Sequence, residues 1–123
     1  MNVARTGLIL NTERYDACVA FYRDLFDLDI MHQKSDGDFK LTCFQFGGAY
    51  LMVETEGVAK DGEKDISENA TKLRFNVSDI QAALETIQAY GIEAQIERYD
   101  WGQTINICDP DGNRVGIRDE AGF

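Results

Sequence analysis

In each half of the chain, apolar positions pass from the two-residue alternation of a half-buried strand to the three-and-four spacing of an amphipathic helix and back again. Thr6 to Asn11 is a short apolar strand. Tyr15, Cys18, Val19, Tyr22, Leu25 and Phe26 then recur at helical spacing, which predicts a helix over Glu13 to Phe26 with Asp16, Arg23 and Asp24 on its polar side. Asp29 to Lys34, Phe39 to Phe46 and Ala49 to Thr55 read as three further strands, separated by the turn signals Asp36-Gly37 and Gly47-Gly48. That order is βαβββ. From Glu56 to Asn69 the chain is charged and poor in large apolar residues, as expected of a mobile connector.

The second half repeats the plan. Thr71 to Val77 reads as a strand, and Ser78-Asp79-Ile80-Gln81 as a capping box in which Ser78 accepts from the helix start and Gln81 reaches back. Ile80, Ala83, Leu84 and Ile87 form the buried stripe of the helix, and Gly91 stands just past its end as a C-cap. Strands follow at Glu93 to Arg98 and Thr104 to Cys108. Asp109-Pro110-Asp111-Gly112 is a tight turn that delivers the last strand, Asn113 to Asp119, from a fixed point. Leu8-Ile9-Leu10-Asn11 superposes on Leu73-Arg74-Phe75-Asn76 at an offset of 65, and Leu51-Met52-Val53 on Val115-Gly116-Ile117 at 64. Each half covers one sheet face with its helix and has another left over. The expected fold is therefore α+β, two tandem βαβββ modules (4–55 and 70–119, joined by 56–69) in one domain spanning 1–123, forming a cup-shaped, partly closed sheet with helices outside.

Composition narrows the function classes. With 22 acidic against 12 basic residues the formal net charge is -10, and no cluster of Lys and Arg appears, so nucleic acid is not an expected partner. Acidity fits either a cationic ligand or plain solubility. No run approaches the roughly 18 apolar residues of a membrane helix, and the N-terminus does not read as a signal peptide, so a cytoplasmic location is expected with no membrane partner. Cys18, Cys43 and Cys108 are odd in number and lack C-x-x-C spacing, which predicts free, buried thiols.

Three features together are similar to the vicinal oxygen chelate superfamily: the paired modules, Phe21-Tyr22-Arg23-Asp24-Leu25 in the first helix, and the closing Asp109-Pro110-Asp111-Gly112-Asn113. That group includes glyoxalase I, extradiol dioxygenases, fosfomycin- and bleomycin-resistance proteins and methylmalonyl-CoA epimerase. The scaffold hosts unrelated chemistries. The resemblance implies one divalent metal at the bottom of the cup, held by His or Glu from the first and last strands of each module. Matched residue by residue, those places fall on Gly7, Met52, Lys72 and Gly116. None is a usual donor: glycine has no side chain, methionine offers a soft thioether and lysine a competing charge. The single histidine, His32, lies on the second strand, and Glu54 with Cys43 and Cys108 makes no converging set. The expectation is no metal and no cofactor.

Alternation also assigns the lining of the cup. Leu8, Leu10, Leu51, Val53, Leu73, Phe75, Val77, Val115 and Ile117 belong under the helices. Gly7, Ile9, Tyr50, Met52, Glu54, Lys72, Arg74, Asn76, Arg114, Gly116 and Arg118 then face the cavity, joined by Thr104, Asn106 and Cys108. Glycines make room, Met52, Ile9 and Tyr50 supply an apolar wall, and Lys72 and Arg74 supply positive charge for a carboxylate, phosphate or enolate-like ligand. Arg74 has an alternative partner in Glu54. Trp101-Gly102 ahead of the seventh strand is similar to bleomycin-resistance proteins, acidic dimers that sequester a planar cationic drug; the resemblance implies that Tyr99 and Trp101 would stack on such a ligand and Asp100 make a charge contact with it.

The expected function is metal-independent binding of a small molecule, as sequestration or carriage, by a homodimer. The candidate ligand-binding residues are Lys72, Arg74, Glu54, Met52, Tyr50, Trp101, Asn106, Gly7 and Gly116, with no catalytic residue assigned. Two alternatives stay open. One is a glyoxalase-, epimerase- or dioxygenase-type enzyme acting on a small oxygenated substrate through a non-standard site, with Lys72, Glu54 or Tyr50 moving a proton. The other is a vestigial cup serving as an interaction module.

Overall fold

In the first half the expected alternation resolves into β1 (Gly7–Asn11), α1 (Tyr15–Ala20), β2 (Ile30–Asp36), β3 (Phe39–Phe46) and β4 (Ala49–Glu54). The computed structural model describes all 123 residues. The second half holds β5 (Leu73–Val77), α2 (Ile80–Ala89), β6 (Glu97–Tyr99), β7 (Gly102–Cys108) and β8 (Arg114–Asp119). The chain divides into two compact units, Met1–Asp61 and Gly62–Phe123. Each unit is one βαβββ module with a four-stranded sheet, ordered β1-β4-β3-β2 in the first and β5-β8-β7-β6 in the second. In both, the first and last strands pair in parallel and the rest antiparallel.

Each core lies between one sheet face and its helix. In the first unit Leu10, Phe44, Leu51 and Val53 are buried beneath Cys18, Val19, Phe21 and Tyr22. In the second, Leu73, Ile105, Ile107, Val115 and Ile117 are buried beneath Ile80 and Ile87. Each large side chain removed from water contributes about 1.5–3 kcal/mol, which holds helix and sheet together. All three cysteines are free; Cys18 and Cys43 are buried and Cys108 is half-buried.

Three local departures from the expected elements have physical causes. The first helix stops being α-helical at Ala20, and Phe21–Leu25 winds as a π-helical turn. Phe21 and Tyr22 are neighbours in sequence and both are buried, so the wider turn brings two adjacent rings inward, where they meet edge to face at 4.9 Å. At the start of α2 the cap is Asp79 rather than Ser78: its carboxylate accepts from the Ala82 amide at 3.0 Å. Replacing Asp79 by alanine lowers stability by about 1 kcal/mol in urea denaturation, whereas Ser78→Ala leaves it within about 0.5. At the other end, Gly91 takes φ +100, its amide donates to Gln88 and the Ile92 amide to Ile87, a complete Schellman motif. The third departure is β6, which pairs over only three residues instead of the six expected from Glu93 to Arg98.

The connector between the modules has no strand or helix, yet it is tied down at both ends. Gly57 donates to the Thr12 carbonyl at 3.1 Å, and a side chain on Gly57 would collide with the Asn11–Thr12 backbone. Within the second unit Lys64 donates through its amide to the Gly112 carbonyl and through Nζ to Asn113 Oδ1. No helix of the protein is long and apolar enough to cross a membrane.

Candidate functional site

Within each unit the helix covers one face of its own sheet, α1 in the first and α2 in the second, and the other sheet face points away from that helix. On the first sheet the register sets Gly7 beside Tyr50, Ile9 beside Met52 and Asn11 beside Glu54, all on that open face. The Tyr50 ring lies directly over Gly7, so that any Cβ there would overlap it. Met52 is paired across the sheet with Cys43, whose thiol burial pushes up and the Arg5 charge partly restores. Glu54 accepts from the Asn11 amide at 3.5 Å.

On the second sheet Arg74 stands beside Gly116 along the β5–β8 pair, and Asn106 stands across from Gly116 on the β7 side. Lys72 precedes β5. A Cβ on Gly116 would lie 3.0 Å from Arg74 Nε and 3.1 Å from Lys72 Cε, so both cationic side chains pass over the bare backbone. Arg114 and Arg118 flank them on β8. Arg114 donates to the Asn69 carbonyl at 3.2 Å and Arg118 to the Trp101 carbonyl, while the Nε–H of each is buried without an acceptor. The protein is acidic as a whole, yet this face carries four cations, and the ion pairs of the chain lie elsewhere, at Arg14–Asp61 and Arg23–Asp24.

The hydrogen bonds around Lys72 form a directed chain. Lys72 Nζ donates to Asn106 Oδ1 at 2.6 Å, Asn106 Nδ2 donates to Glu97 Oε2 at 2.9 Å, and the Tyr99 hydroxyl donates to the same Glu97 oxygen at 2.9 Å. One amide thus bridges an ammonium and a carboxylate, which fixes its orientation. Partial burial holds the Lys72 pKa below the ordinary lysine value; Arg74 and Arg114 add to this, and Glu63 and Glu97 oppose it. The Glu97 carboxylate pushes the Tyr99 hydroxyl up, mainly through their hydrogen bond.

Trp101 is half-exposed, but its ring is already engaged. Tyr99 stacks on it at 5.0 Å and nearly parallel, and the Arg118 guanidinium lies 4.9 Å from its centre, with Arg74 at 6.0 Å. Arg118 in turn lies 5.0 Å from the Phe123 ring. The indole is therefore a wall built into the second unit more than a free platform. Gathered in that unit are five of the sequence-derived candidates, Lys72, Arg74, Trp101, Asn106 and Gly116; Gly7, Tyr50, Met52 and Glu54 are gathered on the first unit's open face.

Sequence reasoning missed Glu97. It pairs with Thr104 on β7 and so shares the face of Thr104 and Asn106. The alternation of β7 holds half of that signal, but the register that carries it to β6 is not written in either strand alone.

The residues at the places where the resemblance implies metal donors do not fit a divalent cation. In the first unit a phenol ring covers Gly7, and Met52 offers a thioether where the resemblance implies His or Glu. In the second an ammonium and a guanidinium lie over Gly116, the opposite of the field a metal needs. Nowhere do three His, Cys, Asp or Glu side chains converge as a metal-binding group.

Known proteins place this architecture. The glyoxalase-like domain model matches residues 6–120. A lactoylglutathione lyase from Agrobacterium tumefaciens superposes with a TM-score of 0.72 at 22% identity, over 98% of this chain and 96% of that one. The fosfomycin resistance protein FosX from Listeria monocytogenes, solved with Mn(II), superposes with a TM-score of 0.75 at 17% identity, over 96% and 93%. TnmS3, an antibiotic binding protein from Streptomyces sp. CB03234, gives 0.72 at 15% identity, over 97% and 98%. No curated protein sequence matches the chain. These identities speak for the fold alone, and the domain match speaks for the family: the chain belongs to the glyoxalase-like domain family of the vicinal oxygen chelate superfamily.

Proposed function

We propose that the open face of the second module binds a small molecule bearing an oxyanion, carboxylate or phosphate, through Lys72 and Arg74 and without a metal, and that the protein sequesters or carries this ligand. One observation carries the reading: both cations lie over Gly116, where the family resemblance calls for a His or Glu donor. Positive groups there attract what a metal would otherwise have attracted, the oxygen atoms of the ligand. TnmS3, an antibiotic binding protein on the same fold, is consistent with binding as an end in itself. In this reading the two modules act as one domain, and the chain works as a cytoplasmic homodimer.

Each charge-assisted hydrogen bond is worth about 1.5–3 kcal/mol, so Lys72 and Arg74 together hold a bare oxyanion with a Kd on the order of millimolar. The test is calorimetric titration with inorganic phosphate and with oxalate after exhaustive chelation of metals. Saturable binding is the expected result; binding that appears only when a divalent metal is added would sink the proposal. The pH dependence has a definite sign. Binding needs the ammonium, so affinity falls as pH rises through the depressed Lys72 pKa, at a lower pH than for an ordinary lysine, and protons are taken up on binding there.

A second reading rests on the same depressed lysine. A neutral Lys72 can accept a proton from a carbon beside a carbonyl, in the manner of an epimerase. Its signature is solvent deuterium entering a bound 2-oxo acid, with loss of that exchange in Lys72→Met.

A further inference from the structure

A cleft of about 740 Å³ opens in the second unit beside the cationic face, and its origin is the shortened β6. The Schellman turn at Gly91 sends the chain away from α2, and residues Ile92 to Ile96 run clear of the sheet before Glu97 joins β7. Pairing between the two strands ends at Glu97 and Thr104. Beyond that point Asn106 has no β6 partner, and the gap between it and the stretch Glu93–Gln95 is the cleft. Its size lies within the range of small-molecule sites.

Two properties of the walls define an occupant. No lysine or arginine lines the cleft, whereas Glu93 and Glu97 do, beside the amides of Gln88, Gln95 and Asn106, so its charge is negative. Glu97 uses one oxygen, Oε2, for Asn106 and Tyr99 and has Oε1 left over. The second property is continuity. Asn106 and Glu97 line the cleft, and Asn106 Oδ1 is 2.6 Å from Lys72 Nζ. A molecule seated on Lys72 is therefore one side chain away from a negatively charged cavity.

We propose that this cleft receives the tail of the ligand, and that the ligand is a small molecule with an acidic head on Lys72 and Arg74 and an amino- or hydroxyl-bearing tail against Glu93 and Glu97. The inference rests on the oxyanion reading of Lys72 and Arg74 and specifies the substrate class of that site. It also supplies what the head lacks, since two charged contacts alone hold an anion only weakly.

The experiment compares inorganic phosphate, glucose 6-phosphate and glucosamine 6-phosphate by calorimetry, with amide chemical shifts recorded in parallel. Glucosamine 6-phosphate is expected to bind at least tenfold more tightly than phosphate, with glucose 6-phosphate between them, and only the two sugar phosphates should shift the amides of Ile92 to Gln95. In Ala94→Phe, which fills the cleft, and in Glu93→Gln, which keeps its shape, the ratio of glucosamine 6-phosphate to phosphate affinity should fall toward one. Equal affinity for all three probes in the native protein, with phosphate bound, overturns the cleft assignment and leaves the oxyanion site standing. Absence of binding by all three overturns both.

Discussion

Asp109→Ala is expected to lower the stability of the protein by about 4 kcal/mol, the largest loss of any single polar substitution proposed for it. The Asp109 side chain is 4% exposed. Its Oδ1 accepts the amides of Asp111 and Asn113 at 2.9 Å each, and its Oδ2 accepts Asn113 Nδ2 at 3.0 Å. Asn113 Oδ1 in turn accepts from Lys64 Nζ at 3.0 Å and Asn69 Nδ2 at 2.9 Å, so the connector is fastened to the start of β8 through this one carboxylate. Removing it leaves buried donors with no acceptor, and each of three charge-assisted bonds is worth roughly 1.5 kcal/mol. Asp109→Asn keeps the shape and one acceptor oxygen and should lose about half as much. The measurement is the urea midpoint, with the slope unchanged. A midpoint for Asp109→Ala within error of the native value would show that the turn is held by backbone preference alone.

Gly116→Glu should abolish phosphate and oxalate binding, a loss of at least about thirtyfold, while the protein remains folded. The atoms nearest the new Cβ are flexible parts of Arg74 and Lys72, at 3.0 and 3.1 Å, which can yield by a few tenths of an ångström. A carboxylate rising between an ammonium and a guanidinium pairs with both and competes with any ligand oxyanion. The same substitution should raise the Lys72 pKa, because a negative neighbour offsets the desolvation and the repulsion from Arg74 and Arg114 that depress it; a lysine ¹⁵N or ¹³C titration reads this directly. Unchanged oxyanion affinity in a folded Gly116→Glu protein would remove Lys72 and Arg74 from the binding site. Gly116→Ala separates the two effects, since it adds the Cβ without the charge and should cost only a small part of the affinity.

Sequence alone set the two βαβββ modules and the faces of the first and last strand of each. The reason is that the two-residue period is local: once Leu8, Leu10, Leu51 and Val53 must be covered, Gly7, Ile9, Tyr50 and Met52 have only the other side to occupy. The same alternation put Lys72, Arg74 and Gly116 on one face of the second module, and the parallel pairing of β5 with β8 then sets Arg74 beside Gly116. Tertiary structure decided what fills the room left by the glycines, the Tyr50 ring over one and two cationic chains over the other, since rotamers depend on neighbours distant in sequence. It also decided that β6 pairs for three residues only, which brings Glu97 to Asn106 and opens the cleft beside it. Strand register between separate segments is a property of their packing, and neither β6 nor β7 encodes it alone.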